Sequence, residues 1–233
     1  MKALILNSGI GSRMGSETKN HPKCMTFLDD ENTILSKQLS QLELIGIKEV
    51  VITTGYLKET LERYCQGLNK SMRISFVYNP NYINTNYIYS IYLAKDLLQD
   101  DILMLHGDLV FHDSLLEEIT RAKGSYMAVD SSAKLPEKDF KAVILNGIIN
   151  KIGVTYFDNA VAAQPLYKLE KKDWEVWLNE IEHFCEQSDV NCYAENAFNE
   201  ISEKCTLYPF EVGNRLCREI DTMEDWLEVR GLI

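Results

Sequence analysis

The sequence predicts an α/β protein of three layers, with helices on both faces of a mixed sheet. Three observations carry this. Short apolar runs alternate with longer amphipathic ones through the first half, a glycine-rich turn directly follows the first apolar run, and an aspartate sits just beyond the fourth. Such alternation implies parallel strands joined by crossover helices. Polar groups at the C-terminal ends of those strands lie where open α/β sheets bind ligands.

Residues 2–6 (KALIL), 49–53 (EVVIT), 73–78 (RISFVY) and 102–105 (ILML) read as strands. Between the first two, Ile34, Leu35, Leu39, Leu42 and Ile45 recur at helical spacing, and Gly46 stands where a C-terminal cap belongs. Residues 57–65 and 87–98 read as the next helices. After about residue 124 the rhythm changes. SYMAVD, KAVIL and IINKIGVTYF read as strands extending the sheet. KKDWEVWLNEIEHFCEQ reads as a helix with Trp174, Trp177, Ile181 and Phe184 on one face, a pattern that core packing explains. NCYAENAFNEIS reads as another helix and CTLYPFEV as a late strand. No repeat or linker is visible, so residues 1–233 are expected to form one domain.

Composition excludes several functions. The formal net charge of −11 argues against nucleic acid or anionic membrane as a partner. The six cysteines form no Cys-x-x-Cys pair and read as free thiols of a reducing compartment. The opening MKALILN is too short for a signal segment, and no apolar stretch approaches ~20 residues. A cytoplasmic protein is expected; a homodimer is left open.

The turn NSGIGSRMG, residues 7–15, contains Gly9, Gly11 and Gly15, which allow close backbone approach to an anion. It is neither of the common phosphate loops. The dinucleotide fingerprint needs a third glycine where Met14 stands, and a Walker loop needs Gly-Lys-Ser/Thr. Instead Arg13 lies within the loop and His21-Pro22-Lys23 follows it. A planar guanidinium and a mobile ammonium beside a glycine turn suit a triphosphate. Lys23, in a polar loop, is expected to matter to turnover rather than to stability.

L-x-x-G-x-G-S-R-M followed by Pro-Lys resembles the signature of the nucleoside-triphosphate transferase family. That family includes sugar-phosphate nucleotidyltransferases and bacterial CTP:phosphocholine cytidylyltransferases. Asn7-Ser8 replaces its usual Ala-Ala or Ala-Gly. NPNYINTNYIYSIYLA, residues 79–94, resembles a segment of the phosphocholine and phosphonate cytidylyltransferases. HGDLVF, residues 106–111, and REIDTMEDW, residues 218–226, resemble the metal-aspartate and closing motifs.

The resemblance implies a Rossmann-like nucleotidyltransferase (nucleotide-diphospho-sugar transferase) fold. It places nucleotide and metal on about residues 1–124, the acceptor on about 125–215 and a closing metal-ligand motif on 216–233. Lys23 and Arg13 would be catalytic. Asn7, Ser8, Gly9, Gly11, Ser12, Arg13, Asn79, Asn86 and Ser90 would bind the nucleotide. Asp108 and Asp221 would hold Mg2+, although Asp221 could also cap a helix, as could Thr85 or Asn86. Glu195 and Asn196 resemble an acidic-Asn pair of the phosphocholine relatives, and Lys141 would bring positive charge to the acceptor; all three could instead be solvated surface groups.

The implied reaction joins CMP from CTP to a small phosphate or phosphonate acceptor. A quaternary ammonium would want aromatic residues such as Tyr82, Tyr87, Phe140, Tyr156, Phe157 and Tyr193. Lys141 would repel one, which favours 2-hydroxyethylphosphonate or 2-aminoethylphosphonate over phosphocholine. A sugar-1-phosphate nucleotidyltransferase and a non-catalytic nucleotide-binding module are the alternatives.

Overall fold

The computed structural model describes residues 1–232. The first half builds parallel strands with helical crossovers: β1 (Lys2–Asn7), α1 (Ile34–Leu44), β2 (Glu49–Thr54), α2 (Lys58–Gly67), β3 (Arg73–Tyr78), α3 (Tyr87–Ala94) and β4 (Ile102–His106). Short 3-10 turns occupy Ser12–Thr18, Lys23–Met25 and Lys95–Leu97. The chain continues through β5 (Leu109–Phe111), α4 (Asp113–Arg121), β6 (Tyr126–Asp130), β7 (Lys141–Leu145), β8 (Ile148–Gly153) and β9 (Ala160–Leu169). It closes with α5 (Lys171–Glu186), α6 (Ala194–Ile201), β10 (Tyr208–Glu211), β11 (Cys217–Glu219) and α7 (Met223–Arg230).

Nine strands form one mixed sheet whose main path is β10-β6-β9-β4-β1-β2-β3, with β7 and β8 extending from β9. Strand β1 pairs parallel with both β2 and β4, and it is apolar on both faces because both are covered. Leu4 and Leu6 face α3, α5 and α6, while Ala3 and Ile5 face α1, α2 and α4. The three-layer α/β/α expectation holds. The stripe on α5 is core: Trp174, Trp177 and Ile181 are fully buried, and the two indole N–H groups donate to Leu98 O and Ala194 O.

The central strand β9 went unrecognised in the sequence. It runs antiparallel between β4 and β6. Its Pro165 cannot donate to a ladder and so reads against a central strand. The ladder with β6 shifts register there, between the Met127–Tyr167 and Val129–Ala163 pairs, and the bulge accommodates the proline. The two-stranded ladder β11-β5 was also missed. At three residues each, its strands lie below the length at which alternation is readable.

Candidate active site

A cleft of about 620 Å³ opens along the C-terminal ends of β1 and β4. One wall is the loop after β1, with Asn7, Ser8, Gly9, Gly11, Ser12 and Arg13. Gly11 adopts φ +70°, the left-handed conformation that turns the chain back upon itself. Asn7 ends β1, and its amide packs against the backbone of Gly107. A Cβ on that glycine would fall 1.7 Å from Asn7 Oδ1, so the approach requires glycine. Asn7 Nδ2 is buried without a hydrogen-bond partner among the described residues.

The β11-β5 ladder brings together charged groups from distant parts of the chain. It pairs Glu219 with Leu109, and Ile220 N donates to Asp108 O at 3.0 Å, which sets residue 221 beside residue 108. Lys23 Nζ donates to Asp108 Oδ2 at 2.5 Å and to Asp221 Oδ1 at 2.6 Å. Arg13 Nη2 donates to the same Asp221 oxygen at 2.9 Å. Lys23 is therefore not a solvated surface charge: its side chain is only 12% exposed. Burial lowers the Lys23 pKa, but the charges of Asp108 and Asp221 outweigh it and hold the ammonium above its ordinary value. Burial likewise raises the Asp108 carboxyl, and Lys23 and His106 return it below the usual range. The cap of α7 falls to Thr222, whose side chain pairs reciprocally with Asp225. The Asp221 carboxylate is thus free to face Lys23 and Arg13.

Two carboxylate oxygens converging on one ammonium mark a position suited to a cation. An all-oxygen pair fits Mg2+, which takes one or two carboxylates with waters and phosphate oxygens. Sequence reasoning missed two neighbours. His106 Nδ1 and Glu219 Oε1 lie 2.8 Å apart, and both residues come within reach of Asp108. Burial and the Asp108 charge push the Glu219 carboxyl up to about 7 against the opposing effect of His106. Burial lowers the His106 pKa, but bonding to Glu219 leaves it raised. Both precede a recognised aspartate by two positions, the period at which strand residues share a face, and that signal was readable.

The other site residues divide. Ser90 Oγ donates to Ser8 Oγ at 2.9 Å, linking α3 to the glycine loop. Asn79 is buried, and its amide is committed to Thr85, Ser90 and the Asn81 N–H. Asn86 caps α3 and also lines the cleft. Glu195 is buried and accepts from the hydroxyls of Tyr87 and Tyr167. Asn196 forms the capping box of α6, with Oδ1 accepting from Tyr193 N. Neither Glu195 nor Asn196 lines the cleft, nor does Lys141, which is fully buried with its ammonium on backbone carbonyls. The acceptor half instead contributes Lys138, Asp139, Phe140, Val154 and Tyr193 to the cleft wall. Tyr193 packs on Phe140 at 5.1 Å and on Tyr87 at 5.9 Å between ring centroids.

Among the described residues no helix is long and apolar enough to cross a membrane, and all six cysteines are free thiols. Comparison with known proteins agrees with the motifs. The chain is 34% identical over 122 residues to CMP-5'-(3-aminopropyl)phosphonate synthase of Streptomyces rubellomurinus, spanning 52% of this chain and 19% of that protein. It is 32% identical over 148 residues to CTP:phosphoglutamine cytidylyltransferase of Campylobacter jejuni, spanning 60% of this chain and 57% of that protein. In both cases less than two thirds of the relative is covered. The CTP:phosphocholine cytidylyltransferase structure from Streptococcus pneumoniae superposes with a TM-score of 0.78 at 20% identity, over 99% of this chain and 98% of that one. That likeness shows the nucleotide-diphospho-sugar transferase fold. The relatives are nucleotidyltransferases, the class expected from the motifs. Residues 19–162, more than half of the chain, match the family model described as "Domain of unknown function (DUF6564)", and the chain belongs to that family.

Proposed function

We propose that this chain is a CTP-dependent, magnesium-requiring cytidylyltransferase that transfers CMP to a small phosphonate or phosphate acceptor and releases pyrophosphate. The observation that carries the reading is the convergence of Arg13, Lys23, Asp108 and Asp221 beside a glycine loop in one cleft. In the reaction an acceptor oxygen forms a bond to the α-phosphorus, and the bond from that phosphorus to the bridging oxygen breaks as pyrophosphate leaves. A phosphate monoester is largely dianionic at neutral pH, with a second pKa of about 6, so no strong base is needed. The obstacle is repulsion between anions, and catalysis rests on positioning and neutralisation. Arg13 and Lys23 would offset charge on the triphosphate. Mg2+ held by Asp108 and Asp221 would supply Lewis-acid neutralisation of the phosphate oxygens.

The names of the two relatives include an aminopropylphosphonate and a phosphoglutamine, phosphorus oxyacids that carry an amine or amide. Here Tyr87, Phe140 and Tyr193 line the cleft, with the buried Glu195 carboxylate bonded to the Tyr87 hydroxyl, a setting that attracts a cationic end. The repulsion argued from Lys141 does not apply, because its ammonium lies outside the cleft. We therefore favour 2-aminoethylphosphonate, with phosphocholine next and 2-hydroxyethylphosphonate third. Pyrophosphate release with CTP against these three acceptors and a panel of sugar phosphates tests the reading. Turnover confined to the first group, lost in chelator and restored by magnesium, is expected. Equal rates with CTP, UTP and ATP, or a sugar phosphate as best acceptor, would refute it.

A further inference from the structure

We propose that Lys138 is the cation that receives the anionic end of the acceptor, and that the buried Lys141 is a positioning residue that presents it. This rests on the cytidylyltransferase reading above.

Three lysines or arginines line the cleft: Arg13, Lys23 and Lys138. The first two are ion-paired with Asp108 or Asp221. Lys138 is exposed and has no ion-pair partner among the described residues. It stands in the connection between β6 and β7, next in the chain to Asp139 and two residues before Phe140, which line the same cleft. Asp139 lines the cleft together with Asp108 and Asp221. Its carboxyl pKa is raised, first by desolvation and then by the charges of Asp221 and Asp225. Lys138 thus offers a cation, unpaired among the described residues, in the cleft that also holds the aromatic residues and the aspartate pair, the charge an incoming phosphonate requires.

A loop lysine has little value as a ligand if its backbone wanders, and Lys141 restrains that backbone. It is fully buried. Its Nζ donates to Asp139 O at 3.0 Å and Val154 O at 2.7 Å, with a longer contact to Glu137 O at 3.5 Å. The carbonyls of residues 137 and 139 flank Lys138 in the chain, and Val154 belongs to the segment after β8. The ammonium also lies 4.4 Å from the ring centroid of Phe157. Burying an ammonium on neutral carbonyls is unfavourable compared with a hydrophobic side chain of that volume. The charge is nonetheless placed where it ties the backbone on both sides of Lys138 to a second segment of the cleft wall. A methionine would fill the space and leave the loop untied.

The test uses CTP and 2-aminoethylphosphonate with the full chain. A charge-assisted hydrogen bond is worth enough that Lys138→Ala should raise the acceptor KM about tenfold, with the KM for CTP unchanged. Lys141→Met should raise the acceptor KM by a similar factor. The double variant should be no worse than Lys138→Ala, because one residue acts through the other. Without any substrate, hydrogen exchange at residues 134–140 should accelerate in Lys141→Met and not in Lys138→Ala. Should Lys141→Met fail to fold, Lys141→Gln takes its place. An unchanged acceptor KM in Lys138→Ala overturns the first claim. Multiplying effects in the double variant, or unaltered exchange, overturn the second. If no acceptor of this class turns over, the cytidylyltransferase reading has failed, and the exchange measurement still decides the restraint.

Discussion

Lys23 shows how a single residue can couple stability to the site. Its ammonium neutralises two half-buried carboxylates at once. Lys23→Met would leave them facing each other with Arg13 as the remaining partner. Removing one member of a buried ion pair costs roughly 3–5 kcal/mol, and partial exposure of this trio reduces the expectation to about 1–3 kcal/mol. Thermal melts of Lys23→Met in chelator should show that loss, and magnesium should recover part of it by binding the freed carboxylates. A melt identical to wild type in chelator would contradict the geometry. Gly107 makes a second prediction at this scale. Gly107→Ala would drive a methyl into the Asn7 amide, destabilising the protein by about 1–3 kcal/mol and displacing the residue before Asp108. Adding Asn7→Ala should restore much of the stability, because the three atoms nearest the added methyl all belong to that side chain. Independent, additive losses in the pair would show that the contact is not the cause.

Among the elements, α1 is joined to the connection before β3 by one carboxylate. Glu43 Oε1, near the C-terminal end of α1, accepts from Ser71 N at 2.8 Å and Ser71 Oγ at 2.6 Å, while Lys70 Nζ lies 3.3 Å from Oε2. A negative charge at a helix C-terminus is unfavourable on its own. Here the Ser71 hydrogen bonds dominate, and the carboxyl falls from its ordinary 4.5 to about 2. A folded-state pKa below the unfolded one gives stability that is complete above 4.5 and disappears as pH falls toward about 2. The melting-temperature gap between wild type and Glu43→Gln should therefore be present at neutral pH and close across that window. A gap independent of pH would show that the carboxylate is not the group responsible.

Across the whole molecule, both halves of the chain share one sheet, because β9 lies between β4 and β6. The three strands bury a common apolar face against α5, with Met104, Met127 and Tyr167 in the same cluster as Trp174 and Trp177. We expect one cooperative unfolding transition by near- and far-ultraviolet circular dichroism. Trp177→Ala should shift all of it: truncating a fully buried Trp costs about 3–5 kcal/mol, or roughly 6–20 °C in a chain of this size. Two separated transitions, with only one sensitive to Trp177, would divide the chain into independent units.

The layers, the glycine loop and the strand-end Asp108 were legible in the residues, because each rests on short-range signals, whereas Asp221 was a candidate only through its resemblance to a family motif. Period-two and helical apolar spacing report burial locally, Gly11 reports a left-handed turn, and Asp108 sits at a strand end that its own neighbours define. Strand β9 was illegible because its proline breaks the local rule while the bulge that tolerates it depends on β6. Side-chain direction was likewise decided in three dimensions. Lys138 and Lys141 are three residues apart in one polar segment and are equivalent as letters. One faces the cleft and the other is buried on carbonyls, because strand β7 begins at Lys141 and pairs it with Gly153 and Ala162. Asp221 gives the same lesson in reverse. Chain order places it 113 residues from Asp108, and a ladder of three residue pairs with no readable sequence pattern sets the two carboxylates on one cation.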